Sequence, residues 1–180
     1  MGKIIALVVG ESGTGKTIVC EKLGEKYGLR QVHSYTTRPR RPGETAGHIF
    51  IDESEMPDKA EMCAYTYYNG YHYFATSKQV DEADLYVIDP DGIDYFLKHY
   101  TGSRIPKVVR LTVPALTRMF RMIRRGDTDA QIMERVRLDT TAFANIKGDV
   151  VIENTDLDTC VDEVYNYLCE QEGELIDADV

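Results

Sequence analysis

The chain has 180 residues, 43% of them hydrophobic, and a formal net charge of −9. That length suits one domain with a substantial core, and the acidic balance disfavours a nucleic-acid backbone as partner. No apolar run of about 18 residues occurs, so no membrane helix is expected; no secretory signal is read at the start, and Cys20, Cys63, Cys160 and Cys169 form no C-x-x-C pair, so reduced thiols and a cytoplasmic location are expected.

Residues 3–9 (KIIALVV) are apolar and β-branched, which predicts a buried strand. Residues 10–17 read Gly-Glu-Ser-Gly-Thr-Gly-Lys-Thr and fit G-x-x-x-x-G-K-[ST] at Gly10, Gly15, Lys16 and Thr17. A helix to about residue 26 follows, with Ile18, Val19 and Leu23 on one side and Gly28 as its stop. Strand, glycine-rich loop and helix are the setting a phosphate-binding loop needs. Glycines let the backbone curl round an anion, so successive N–H groups point inward. The helix start adds its positive end. Gly10, Ser12, Gly13, Thr14 and Gly15 are therefore expected at ATP, with Lys16 on the β- and γ-phosphates and the Thr17 hydroxyl on Mg²⁺.

Residues 30–34 read as a second strand, followed by a basic Pro/Gly loop to Gly47. Short tyrosine-rich strands are predicted at 48–51, 63–68 and 71–75, with Asn69-Gly70 as a hairpin turn. The α/β rhythm resumes with a strand at 83–89, a helix at 92–100 and a strand at 107–113. Helices follow at 115–125 and 129–143, parted by Gly126-Asp127-Thr128-Asp129, which supplies a turn and an N-cap. A last strand at 150–153 and an amphipathic helix at 157–170 lead into an acidic tail, expected to be solvated and partly disordered.

This order predicts an α/β fold: a P-loop NTPase-type parallel sheet flanked by helices on both faces, with a small β-rich acceptor-binding insertion and a helical lid. The expected layout is one domain. Its core covers about 1–33, 77–114 and 141–172, the insertion 34–76, the lid 115–140 and the acidic tail 173–180.

Residues 34–44 read Ser-Tyr-Thr-Thr-Arg-Pro-Arg-Arg-Pro-Gly-Glu. Arg38 and Arg41, three apart and preceded by hydroxyls, form a second anion site, because guanidinium groups bind phosphate bidentately. A second phosphate site suggests a phosphorylated acceptor. The pattern S-x-T-T-R-x-x-R-x-G-E, about 20 residues after G-x-S-G-x-G-K-T, resembles the guanylate kinase family. The Arg121-x-x-x-Arg125-Gly126 stretch and Arg135 are similar to that family's lid, and Val151-Ile152-Glu153-Asn154-Thr155-Asp156-Leu157 is similar to its last strand and nucleotide-contacting turn.

The resemblance implies roles. Ser34, Arg38 and Arg41 hold the acceptor's 5′-phosphate, with Tyr73 as a further phosphate ligand. Lys16, Arg125 and Arg135 are the catalytic cations, Arg121 joins them at ATP, and Asn154 lies near the adenine. Asp89 serves Mg²⁺ or the acceptor base. Departures accompany these. His48 stands where the family has a tyrosine on the phosphate, and Val87 replaces the first aspartate of D-x-D. Ala64 and Ala75 align with the glutamate and serine that read guanine; Glu61 and Thr76 lie close by as replacements. Alternatively Tyr65, Tyr67, Tyr68, Tyr71 and Tyr73 build a stacking pocket with looser base choice.

The expected activity is ATP-dependent phosphorylation of GMP or dGMP, with Mg²⁺, by a monomer or weak homodimer that binds neither nucleic acid nor membrane. A monophosphate kinase of broader base choice is the alternative. A non-catalytic binding module is the third reading, and the intact phosphate loop counts against it.

Overall fold

In the computed structural model, which describes residues 3–40, 47–68 and 70–178, Ile4–Val9 forms strand β1 with all six residues buried. Such a run has no polar face for water, so both faces must be covered. The chain continues through α1 (Lys16–Tyr27), β2 (Ser34–Thr36), β3 (His48–Phe50), β4 (Met62–Tyr68) and β5 (Tyr71–Thr76). Then come α2 (Ser77–Asp81), β6 (Leu85–Val87), α3 (Pro90–His99) and β7 (Ile105–Thr112). Helices α4 (Ala115–Arg124) and α5 (Asp129–Ala142), strand β8 (Val150–Glu153) and helix α6 (Leu157–Ala178) complete it.

One sheet has the order β6-β1-β7-β8, parallel throughout. Parallel neighbours need long crossovers, and helices supply them. Ile4, Ala6 and Val8 face a core shared with Val19 and Leu23 of α1 and Val164 and Leu168 of α6. Ile5, Leu7 and Val9 face the other way, onto a core with Ile93 and Phe96 of α3 and Ala64 and Ala75 of the second sheet. Each fully buried Leu or Ile contributes about 1.5–3 kcal/mol relative to exposure. The second sheet has the order β3-β2-β5-β4, parallel only between β2 and β3.

Local chemistry sets the ends. Gly28 stops α1 with φ 71°, and its N–H donates to Gly24 O at 3.0 Å. Thr128 caps α5, forming a capping box with Gln131. Tyr68 pairs with Tyr71 across the β4–β5 hairpin, where Gly70 takes φ 83°. Its predicted turn partner Asn69 lies outside the described residues.

Two expectations are corrected. The strand predicted at 30–34 is reduced to a bridge between Gln31 and Leu85. The chain leaves the parallel sheet after Val32, whose N–H still donates to Leu85 O at 2.8 Å, while the His33 carbonyl accepts from the Gln79 side chain at 2.8 Å. As far as the acidic tail is described, it continues α6 to Ala178 instead of leaving the helix near residue 170. Leu175 packs on the core, and the Glu172 carboxylate accepts the Lys3 and Ile4 N–H groups at 3.0 and 2.8 Å. That carboxylate serves backbone donors at the start of β1, which ties the helix end down. None of the described helices is long and apolar enough to cross a membrane.

Candidate functional site

The loop between β1 and α1 turns its carbonyl oxygens toward protein donors. Lys16 Nζ donates to Gly10 O at 2.5 Å and to Glu11 O at 3.3 Å. Thr14 donates to Glu11 O from its N–H at 3.2 Å and its hydroxyl at 2.8 Å. Arg121 reaches Gly13 O, Thr14 O and Asn154 O at 3.3, 3.2 and 2.8 Å. The Asn154 amide donates to Thr14 O at 2.8 Å. Turning these carbonyls inward is what lets the later amides of the loop face an anion. Gly15 has φ 91°, and a Cβ there would lie 2.5 Å from Asn154 Nδ2; Gly13 has φ 83°, and a Cβ there would lie 2.8 Å from the Arg118 carbonyl oxygen.

A cavity of about 390 Å³ opens over this loop, lined by Ser12, Lys16, Thr17, Arg121, Arg125 and Arg135 among others, with no carboxylate among the described residues of its wall. It is a cationic cavity in an acidic protein. Enclosure by protein brings the Lys16 ammonium down to about 8, and the nearby Asp139 and Glu11 carboxylates oppose that shift.

The sequence reading of Arg125 and Arg135 missed their neighbour. Arg125 donates to the Asp127 carboxylate, and Arg135 Nε lies 3.8 Å from it. In the sequence Asp127 shows only as part of the Gly126–Asp129 turn. Behind the loop, Arg118 spans Glu11 at 3.4 Å and Asp139 at 3.6 Å, and Arg110 adds a contact to Glu11 at 3.6 Å. Glu11 and Asp139 carried no sequence signal, being a variable loop position and one of several polar residues on a predicted helix.

Asn154 joins the phosphate loop to the end of β8. It is 1% exposed and lies against the loop backbone; its Oδ1 is buried without a hydrogen-bond partner among the described residues.

A second cavity of about 70 Å³ lies between β4, β5, β6 and α3 and is lined by Ser34, His48, Ala64, Thr66, Tyr73 and Asp89 among others. The fold brings these together because Ser34 pairs with His48 across β2–β3 and Thr66 with Tyr73 across β4–β5. Ser34 Oγ and His48 Nδ1 share a hydrogen bond at 3.0 Å, and the His48 ring lies 5.7 Å from that of Tyr73. Asp89 caps α3 by accepting the Gly92 N–H at 2.8 Å. Thr66 donates its hydroxyl to that carboxylate, 3.1 and 3.0 Å from its two oxygens. Asp89 is open to solvent at the pocket mouth, yet protein surrounds it on most sides; this raises its carboxyl, while the Gly92 and Thr66 donors pull the other way.

Arg38 is nearly buried, donates to Pro39 O at 2.9 Å and sits over the Phe50 ring at 5.3 Å. Arg41 lies outside the described residues. Ala64 and Ala75 pair across β4–β5 and are 1% and 0% exposed. Glu61 is exposed and Thr76 caps α2 by accepting the Gln79 N–H; neither is among the residues that line the smaller cavity. Of the five tyrosines, Tyr65 and Tyr73 line the pocket and Tyr67 is 60% exposed.

Among the described residues no group of three or more His, Cys, Asp or Glu side chains is placed to hold a metal. Thr17 lines the larger cavity and Asp89 the smaller one. A Mg²⁺ ion needs few protein ligands when substrate phosphates and water supply the rest. The Thr17 hydroxyl fits that demand better than Asp89, whose two oxygens already accept protein donors.

A family profile described as guanylate kinase matches residues 2–171. The guanylate kinase of Hydrogenovibrio crunogenus is 30% identical over 181 residues, covering 92% of this chain and 87% of that one. That of Syntrophus aciditrophicus is 29% identical over 167 residues, covering 85% and 79%. The crystal structure of guanylate kinase from Anaplasma phagocytophilum has a TM-score of 0.63 at 24% identity, covering 94% of this chain and 86% of that one, a likeness of fold. On the profile match over residues 2–171 and the identity to these relatives, the chain belongs to the guanylate kinase family.

Proposed function

We propose that this protein is a nucleoside monophosphate kinase that transfers the γ-phosphoryl group of ATP to GMP or dGMP. One relationship carries the reading. The phosphate loop and Asp89 leave the same ends of neighbouring parallel strands, with Val8 in register with Val87 and Ile88 N–H donating to Val8 O at 3.1 Å. Adjacent strands lie about 4.8 Å apart. Two cavities opening from that edge favour transfer between two bound substrates.

An oxygen of the acceptor phosphate attacks the γ-phosphorus in line. The bond from that phosphorus to the β–γ bridging oxygen breaks, and ADP leaves. Little covalent help is needed, so the protein positions groups and neutralises charge. Lys16 and the loop amides hold the β- and γ-phosphates. Arg125 and Arg135 follow the charge on the transferred group, exchanging Asp127 for phosphate oxygens. Arg121 and Asn154 support ATP by fixing the loop. Ser34, Arg38, Arg41, His48 and Tyr73 hold the acceptor phosphate, and Asp89 faces its base. Mg²⁺, held by the Thr17 hydroxyl and phosphate oxygens, would offset their negative charge. The lid and the insertion exclude water, which would otherwise accept the phosphoryl group. The reading extends to a cytoplasmic enzyme of purine nucleotide metabolism, monomeric or weakly dimeric.

The paired Ala64 and Ala75 favour a second reading, a kinase with broader base choice. An ADP-release assay with ATP–Mg²⁺ and GMP, dGMP, AMP, CMP, UMP and dTMP tests both. Turnover confined to GMP and dGMP supports the first reading, turnover with other bases supports the second, and no turnover with any acceptor overturns both.

A further inference from the structure

The Glu11–Ser12 peptide is held from both sides. Its carbonyl oxygen accepts from Thr14 N–H, Thr14 Oγ1 and Lys16 Nζ at 3.2, 2.8 and 3.3 Å. In a trans peptide the N–H points opposite to the C=O. The Ser12 N–H therefore faces away from those donors, and it donates to Asp139 Oδ2 at 2.8 Å. Ser12 Oγ reaches the other oxygen at 3.4 Å. Flipping this peptide would break every one of these bonds and aim a carbonyl at a carboxylate.

The carboxylate is compensated where it stands. Its side chain is 13% exposed, and that of Arg118, 3.6 Å away, is 11% exposed. Arg118 also lies 3.4 Å from Glu11, so loop, α4 and α5 meet in one charge network. Asp139 is in the last turn of α5 and Arg118 in the first turn of α4, the two ends of the lid nearest the core. Arg125 and Asp127 lie at the opposite end, between α4 and α5, and Arg135 lies midway along α5.

We propose that Asp139 is a positioning residue for phosphoryl transfer: from the base of the lid it fixes the Glu11–Ser12 peptide, and through it the phosphate loop that receives ATP. This rests on the kinase reading above. Asp139 touches no substrate; it acts through the Ser12 amide. The clamp makes the lid's base one body with the loop and leaves motion to the segment carrying Arg125 and Arg135.

The test is steady-state kinetics of Asp139→Ala and Asp139→Asn in the full chain, with ATP–Mg²⁺ and GMP varied separately. Asp139→Ala is expected to raise KM for ATP about tenfold, the scale of a lost charge-assisted hydrogen bond, with KM for GMP unchanged. Asp139→Asn keeps an oxygen for the Ser12 N–H and is expected to recover most of that loss. Unchanged KM for ATP in the Ala variant, even with a lower melting temperature, overturns the assignment, as does an equal loss in both variants. A tighter KM for ATP in the Ala variant also overturns it, since Asp139 would then compete with phosphate. Amide hydrogen exchange of the wild-type protein needs no variant: a slowly exchanging Ser12 N–H is expected, and exchange at the unfolded-chain rate overturns the clamp. If wild-type protein turns over no acceptor, the kinase reading fails; the exchange result still reports on the clamp.

Discussion

Arg135 Nε lies 3.8 Å from Asp127 Oδ2, the oxygen that Arg125 also contacts. Two arginines assigned to the phosphoryl group thus share one protein carboxylate. Exchange of that carboxylate for phosphate has a modest cost: Asp127 is 15% exposed, but the Arg125 and Arg135 side chains are 55% and 36% exposed, and pairs open to solvent on the arginine side contribute about 1 kcal/mol. Asp127→Asn is expected to lower KM for ATP by no more than about fivefold, with a smaller effect at high salt. Kinetics across a salt series check this. A higher KM for ATP would mean that Asp127 holds the arginines in their working place.

The two cavities predict separable losses. Lys16→Ala should remove nearly all turnover, because that ammonium lies within the phosphate loop, where it joins the loop amides at the β- and γ-phosphates, and the lid arginines act on the transferred group rather than in its place. Arg38→Ala should raise KM for the monophosphate about tenfold or more and change KM for ATP far less. Separate titration of each substrate decides it. Intact acceptor affinity in the Arg38 variant would show that the acceptor site is misplaced.

Gly15 takes φ 91°, and an added Cβ would fall 2.5 Å from Asn154 Nδ2. Gly15→Ala therefore combines an unfavourable backbone with a clash against a buried amide. A destabilisation of about 1–3 kcal/mol is expected, together with loss of ATP binding. Thermal melting with and without ATP–Mg²⁺ reads both. Normal melting and normal ATP stabilisation in this variant would refute the clash.

Asp81 predicts a pH response. Its carboxylate accepts from Tyr100 OH at 2.5 Å and from Ser103 N–H and Oγ at 2.9 and 3.2 Å. The Tyr100 hydroxyl does most to hold its carboxyl below the usual aspartate range. A depressed folded-state value means the unfolded chain binds the proton more readily. The contribution is complete above the unfolded aspartate value of about 4 and fades as pH falls through the lower folded value. Asp81→Asn should lower stability at neutral pH and flatten the acid limb below about pH 4. Urea unfolding of both proteins across that range is the check, and parallel acid limbs would sink the claim.

The sequence by itself determined the frame and the phosphate loop. Residues 3–9 must be covered on both faces, Gly28 and Thr128 end and start helices through backbone chemistry within a few residues, and 10–17 combine glycines, lysine and hydroxyl at fixed spacing. Those signals are local, so they survive without knowledge of neighbours. The strand expected at 30–34 failed because its pairing ended where the distant Gln79 side chain met the His33 carbonyl. The acidic end became helix because Glu172 serves the amides of Lys3 and Ile4. Only the tertiary structure decided which partner each polar side chain finds: Asp139 reaches Ser12 across 127 residues, and Asn154 reaches Thr14 across 140. Periodicity assigns a residue to one face of a helix or strand. The packing of that face against another element sets its hydrogen-bond partner, and at such separations no local pattern records it.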